Sequence, residues 1–207
     1  MKPSPLPSGR DAQRRAVLDA ASRILSAEGD AALSTRRVAK EAGASTMVLY
    51  SLFASKEGLV DALLAEGFRR FAVELQRVRD PDPWRHLDQL GHAYRRFALA
   101  NPTYFRLMWR ERACPVPKNL EHRAAVAEGQ TAFATFLEGV RGVMVALDRP
   151  AREIEPAAVQ AWSAVHGFVS LELAGVFAGH PSMEPAYAQL LEFISRGLGK
   201  PAQAPRR

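Results

Sequence analysis

Hydrophobic residues recur along this chain with the 3.6-residue period of a helix, and no segment sustains the period-2 alternation of a half-buried strand. Val17, Ala20, Ala21, Ile24 and Leu25 make a first stripe, stopped by Glu28-Gly29-Asp30. A second long stripe runs through Leu59, Leu63, Leu64, Phe68, Phe71, Leu75 and Val78. Residues 34 to 53, between the two, are too broken for one long helix and divide into two short ones, Thr35 to Ala42 and Thr46 to Phe53. Asp80-Pro81-Asp82-Pro83 interrupts the pattern, with Asp82 placed to cap and Pro83 to take the first helical position, and Trp84, Leu87, Leu90, Tyr94 and Phe97 restart it. After Asn101-Pro102 comes a short helix carrying Phe105, Met108 and Trp109, and then a Cys114-Pro115-Val116-Pro117 loop. Val126, Phe133, Leu137, Val140, Met144 and Leu147 mark a long helix, Val159 to Phe177 another, and Tyr187 to Leu198 a last one. The pattern predicts an all-α chain of about nine helices without internal repeats.

Composition narrows the class. A chain of 207 residues, 47% hydrophobic and 24% charged, buries a core without disulfide or metal staples. No apolar run approaches the roughly 20 residues of a membrane span. Residues 1 to 9 carry Pro3, Pro5 and Pro7 and no apolar stretch, so no signal or transit peptide is read there and a cytoplasmic location is expected. Cys114 is the only cysteine, which excludes an internal disulfide and a multi-cysteine zinc site. The net charge of +6 is unevenly spread: residues 1 to 60 hold nine Lys/Arg against six Asp/Glu, and the rest hold 19 against 16. The amino-terminal part is therefore more than twice as basic per residue. Charge alone leaves open a polyanionic partner or ordinary solvated helix faces.

The two short helices decide more. Ser34 stands where an N-cap belongs, Val38 and Ala39 turn inward, and Gly43-Ala44 makes a tight turn. Ser45 caps the second helix, whose Val48, Leu49 and Phe53 leave Thr46, Met47, Tyr50 and Ser51 outside the core, and Ser55 caps the next helix at Lys56. Such a pair, with small polar and aromatic groups on the outer face, is a helix-turn-helix. Its second helix fits the major groove of DNA. The residues Val38-Ala39-Lys40-Glu41-Ala42-Gly43-Ala44-Ser45 and Leu49-Tyr50-Ser51-Leu52-Phe53-Ala54-Ser55-Lys56-Glu57-Gly58-Leu59 closely resemble the DNA-binding domain of TetR-family transcriptional regulators. The resemblance covers about residues 12 to 65 and includes Arg15-Ala16-Val17-Leu18-Asp19-Ala20-Ala21. Further on, Ala161-Trp162-Ser163-Ala164-Val165-His166-Gly167, followed by Leu171-Glu172, resembles the Trp-His-Gly signature of one carboxy-terminal domain type in that family.

The resemblance implies a homodimeric one-component regulator, in its commonest form a repressor released from a pseudo-palindromic operator by a small apolar effector. It implies a tail at 1–9, a helix-turn-helix domain at 10–58, an effector-binding and dimerisation domain at 59–199 and a tail at 200–207. Residues 59–79 continue the connecting helix. Arg36 and Lys56 are candidate phosphate contacts, with Thr35 adding a hydroxyl, and the resemblance sets Tyr50 against the backbone phosphate. Solvated charges and a core tyrosine with a wet hydroxyl are the alternatives. Thr46, Met47 and Ser51 are candidates for base edges, through hydroxyl hydrogen bonds and apolar contact with a thymine methyl, and Val48 completes the DNA-facing set. No Arg, Asn or Gln lies in Thr46 to Phe53, so bidentate readout of guanine or adenine from this helix is excluded, and specificity leans on shape, water and Arg36 or Arg37. Arg10, Arg14 and Arg15 read either as phosphate contacts or as a basic arm.

Towards the carboxy terminus, Val159, Trp162, His166, Val169 and Leu173 fall on one helix face and Ser163, Gly167, Ser170 and Ala174 on the next. Small residues permit close helix approach. With Leu190 and Ile194 of the last helix, the resemblance implies a two-fold four-helix interface, and an intrachain groove filled by the preceding long helix is the alternative. Phe105, Met108, Trp109, Phe133 and Trp162 are candidates to line an effector cavity, with His166 offering one hydrogen bond, although the same residues equally build a plain core. His86, His92, His122, His166 and His180 lack metal-ligand spacing, and neither a glycine-rich phosphate loop nor a nucleophile elbow is present. Glu153 and Glu155 read as helix-start electrostatics. No enzyme activity, cofactor or metal is expected. The rival readings are an all-helical enzyme and a binding module for a hydrophobic small molecule without DNA readout.

Overall fold

The computed structural model describes residues 7–109, 120–180 and 182–200, and every regular element among them is helical. The order is α1 (Arg10–Glu28), α2 (Thr35–Ala42), α3 (Thr46–Phe53), α4 (Lys56–Gln76), α5 (Pro83–Ala100), α6 (Pro102–Met108), α7 (Leu120–Ala146), α8 (Ile154–Leu173) and α9 (Glu184–Leu198), with single 3₁₀ turns at Asp30–Ala32 and Ala151–Glu153. Most of the two expected tails, 1–6 and 201–207, and the loop at 114–117 lie outside the described residues. None of the described helices is long and apolar enough to cross a membrane. Two compact units result, Met1–Arg70 with Asn101–Gln130, and Phe71–Ala100 with Thr131–Arg207, so that α4 and α7 each contribute to both.

In the first unit, serines start α2, α3 and α4 as their positions predict. Ser34 Oγ accepts from the Arg37 N–H at 3.3 Å, Ser45 Oγ from Val48 at 3.2 Å and Ser55 Oγ from Gly58 at 3.1 Å. Each cap satisfies an N–H that the helix leaves without a partner, worth about 1 kcal/mol. Gly43 ends α2 at φ 67°, a left-handed conformation that costs glycine little and lets the chain turn directly into α3. Val17, Leu25, Val38, Leu49, Phe53 and Leu63 are buried in the core beneath. The buried residues of α3 are Leu49, Leu52 and Phe53, whereas Val48 is half-buried. Leu52, three residues after Leu49, takes the core position expected of Val48.

Helix α6 packs in this unit through Tyr104, whose hydroxyl is hydrogen-bonded to Ser22 Oγ of α1 and whose ring lies 5.3 Å from the Arg70 guanidinium. A Cβ at Gly67 of α4 would sit 2.8 Å from Tyr104 Cδ1, so glycine provides the notch that Tyr104 fills.

In the second unit, Asp82 caps α5 as expected, its Oδ1 accepting from the Arg85 N–H at 2.8 Å. The inward faces of α7 and α8 differ from the stripes of large residues. On α7 the buried set includes Ala132, Phe136, Val140, Val143 and Met144, while Phe133 and Leu137 are half-buried. On α8 it is Ile154, Ala158, Ala161, Val165 and Val169, and Val159 is 48% exposed. Small residues account for the rotation, because Gly139 is where Leu90 presses against α7, and alanines turned inward allow equally close helix approach. Helix α8 also stops at Leu173 rather than continuing to Phe177. Gly175 at φ 75° closes it, with the Gly175 N–H on Glu172 O at 3.0 Å and the Val176 N–H on Leu171 O at 3.1 Å, the two bonds of a Schellman cap.

Candidate nucleic-acid interface

Helices α2 and α3 and the start of α4 present the candidate DNA-binding residues. Arg36, Thr46, Met47, Tyr50, Ser51 and Lys56 are exposed, and Thr35 and Val48 are half-buried. Arg36, Lys40 and Lys56 make no ion pair with any described residue, so their charges remain available to an anion. Arg37, by contrast, is paired with Glu28, and Arg23 with Glu41 at 3.2 Å. Lys40 does not stand out in the sequence, though its place on the outer face of the first short helix is the same signal that marks Arg36. Arg10 and Arg14 also have internal work. Arg10 donates to the Ser51 carbonyl at 3.1 Å, while Arg14 stacks 4.8 Å from the Phe53 ring and is hydrogen-bonded to Glu121. These arginines support the back of α3, and of the three amino-terminal candidates only Arg15 is left without a partner among the described residues.

The candidates for an effector fall in both units. In the first, Phe105 and Met108 are buried, and Trp109, the residue that ends α6, stands edge-on to Phe68 with ring centroids 5.7 Å apart. In the second, Trp162 of α8 is half-buried and ringed by Phe71, Tyr94, Phe133 and Phe136 at centroid distances of 5.9, 5.1, 5.5 and 5.3 Å. One turn on, His166 has a partner for each ring nitrogen: the Tyr94 hydroxyl lies 2.9 Å from Nδ1 and Ser170 Oγ 3.3 Å from Nε2. Burial pushes the His166 pKa down and the Tyr94 pKa well up, so both are neutral near pH 7. The single hydrogen bond expected of His166 toward an effector is thus met within the chain. Tyr94, 72 residues away, is the partner that only the fold brings to it.

The expected dimer residues lie on α8, with its C-cap, and on α9 of the second unit. Ser163 and Ala174 are exposed and Gly167, Ser170, Leu190 and Ile194 half-buried. A Cβ added at Gly167 would meet nothing within 4 Å, which leaves this face of α8 open within the chain. Phe193 of α9, absent from the expected set, is 75% exposed. Its signal is present in the sequence: Tyr187, Leu191 and Ser195 recur every four residues as the inward face of α9, which leaves Phe193 pointing away from it. Among the described residues no group of His, Cys, Asp or Glu is arranged to hold a metal ion.

Similarity to known proteins points the same way. Residues 17–63 match the family described as bacterial regulatory proteins, tetR family, and residues 87–194 match tetracyclin repressor-like, C-terminal domain. Among proteins with curated functions, none matches this sequence. A protein of unknown function from Rhodococcus sp. RHA1 is similar in structure at 26% identity and a TM-score of 0.79, over 91% of this chain and 96% of that one. The TetR-family transcriptional regulator PfmR from Thermus thermophilus shares the fold at 19% identity and a TM-score of 0.65, over 89% and 99% of the two chains. A TetR transcription regulator from Haloarcula marismortui shares it at 17% identity and a TM-score of 0.70, over 90% and 98%.

Proposed function

Since the chain belongs to the TetR family of DNA-binding transcriptional regulators, we propose that it is a homodimeric repressor, released from a pseudo-palindromic operator by a small apolar effector. The observation that carries the DNA assignment is the set of uncommitted cations, Arg36, Lys40 and Lys56, beside an exposed α3 face that bears no charge of its own. Lysine and arginine contacts to phosphate hold the protein on the duplex regardless of sequence, and the side chains of α3 read the bases. Tyr50 adds a phenol hydroxyl to the phosphate contacts, and Thr35 adds an alcohol. Lys56→Ala is expected to weaken binding to all duplexes alike and to flatten the slope of log K against log salt by about 0.9 for each phosphate that is no longer neutralised. Thr46→Ala should change the preferred sequence instead. Titration of both variants against a panel of duplexes separates the roles, and a change of preference in Lys56→Ala with none in Thr46→Ala would reverse them.

For the effector we favour the surroundings of Trp162, where Phe133, Trp162 and His166 are half-buried and aromatic rings surround the indole. Phe105, Met108 and Trp109 remain the candidates in the first unit. Whatever the ligand, it releases DNA only through a difference in affinity between two conformations, and α4, which begins beside α3 and contributes to both units, is the natural transmitter. A coupling of about 1–3 kcal/mol is expected, with operator DNA weakening the ligand as much as the ligand weakens DNA. Trp162→Ala should abolish ligand-dependent release while leaving DNA affinity intact. Retained release in that variant would place the site elsewhere.

A further inference from the structure

The structure narrows what α3 is able to read, an inference that rests on the proposed DNA contact. Of the outward side chains on this helix, Ser51 already donates its hydroxyl proton to the Val48 carbonyl at 2.9 Å, and its own carbonyl accepts from Arg10. Val48 is half-buried, and Ser45 Oγ is occupied as the N-cap. What remains at the amino end of the helix is Thr46 and Met47. Met47 is 79% exposed, the most exposed large apolar residue of the described chain. Such exposure gives it little part in the packing of its own chain, and an exposed methionine adds an apolar surface without adding a hydrogen bond.

The major-groove edges of guanine, cytosine and adenine offer hydrogen-bond donors and acceptors, and only thymine adds an apolar group, its 5-methyl. A thioether side chain in the groove therefore has one favourable target and gains nothing over a polar edge, where it would strip water without replacing its hydrogen bonds. The cations beside α3 draw this helix to a polyanion, so the surface Met47 meets is nucleic acid rather than an apolar protein groove. The geometry points to Met47 as a specificity-determining residue that reads the 5-methyl group of a thymine in each operator half-site.

Replacing one thymine by deoxyuridine removes that methyl and leaves every Watson–Crick group in place. Duplexes recovered from a randomised pool by the wild-type protein serve as probes, each thymine being replaced in turn by deoxyuridine. At one position per half-site the wild-type affinity should fall about fourfold, the worth of one buried methyl group. Met47→Ala should bind the all-thymine duplex more weakly and show no further loss on that replacement, while Met47→Leu, which restores an apolar contact, should regain the sensitivity. Because Met47 is exposed, neither variant should alter thermal unfolding. Equal sensitivity to deoxyuridine in wild type and Met47→Ala, or none in either, would overturn the assignment of Met47 and leave the regulator reading standing. Failure of the wild-type protein to bind any duplex would remove both.

Discussion

Replacing Phe193 with glutamate is expected to leave the chain folded, to make it monomeric and to abolish tight operator binding. Phe193 is 75% exposed, and Val159 and Leu171 on α8 are 48% and 46% exposed, so a monomer presents apolar side chains to water. Burying one phenylalanine is worth roughly 1.5–3 kcal/mol, and a two-fold interface contains the residue twice. Loss of both contributions weakens the dimer by about 3 kcal/mol or more, roughly a hundredfold or more in affinity, before the cost of an unpaired interfacial carboxylate is added. Gly167→Leu should act in the same direction, since a Cβ there meets nothing within 4 Å of its own chain. Sedimentation gives the oligomeric state and circular dichroism the fold. A Phe193→Glu protein that sediments as the wild type does would place the dimer contact on another face.

The second large effect is on stability. Arg95 of α5 is 12% exposed and clamps Glu172 with two hydrogen bonds, Nε to Oε2 at 2.8 Å and Nη2 to Oε1 at 2.7 Å. It also pairs with Glu184 and lies 5.2 Å from the Tyr187 ring, whose hydroxyl donates to the Gly91 carbonyl at 2.6 Å. The hydrogen bonds to Glu172 hold the Arg95 pKa above its already high ordinary value, so the guanidinium stays charged at every accessible pH. Arg95→Met fills much of the same volume but strands Glu172, itself only 15% exposed, without its counter-charge. An uncompensated buried charge costs about 3–5 kcal/mol, and the partial exposure of Glu172 puts the expected loss near 3 kcal/mol. For a chain of this size that lowers Tm by roughly 2–4 °C per kcal/mol. Adding Glu172→Leu should recover most of the loss, because the cost lies in the unpaired carboxylate rather than in the missing arginine. No recovery in the double variant, measured by calorimetry, would show that Arg95 matters for packing alone.

The parts of this protein that are legible in its sequence are those specified by neighbours along the chain. Ser34, Ser45 and Ser55 each accept from an N–H three residues on, and Gly43 takes a left-handed backbone conformation that costs glycine little. Helix starts and the paired short helices follow from such local chemistry. Faces are harder to read where size and burial part company. Ala158 and Ala161 are buried while Val159 between them is exposed, because close helix approach selects small residues and a stripe drawn through large ones is rotated by a position. Gly175 is visible as a helix stop and outweighs the apolar residues around Val176 and Phe177. Long-range partners are not legible at all: Arg95 meets Glu172 across 77 positions and His166 meets Tyr94 across 72. Nothing in either local sequence announces the other.

If the paired short helices read DNA as part of a dimer, selection of bound fragments from a randomised duplex pool at physiological salt should show it. The expected product is a pseudo-palindrome whose half-site centres lie roughly one helical turn, about 34–36 Å, apart, bound with an affinity that falls steeply as salt rises. A pool that remains random after repeated rounds, together with duplex binding indifferent to salt, would contradict the assignment of this protein as a dimeric DNA reader.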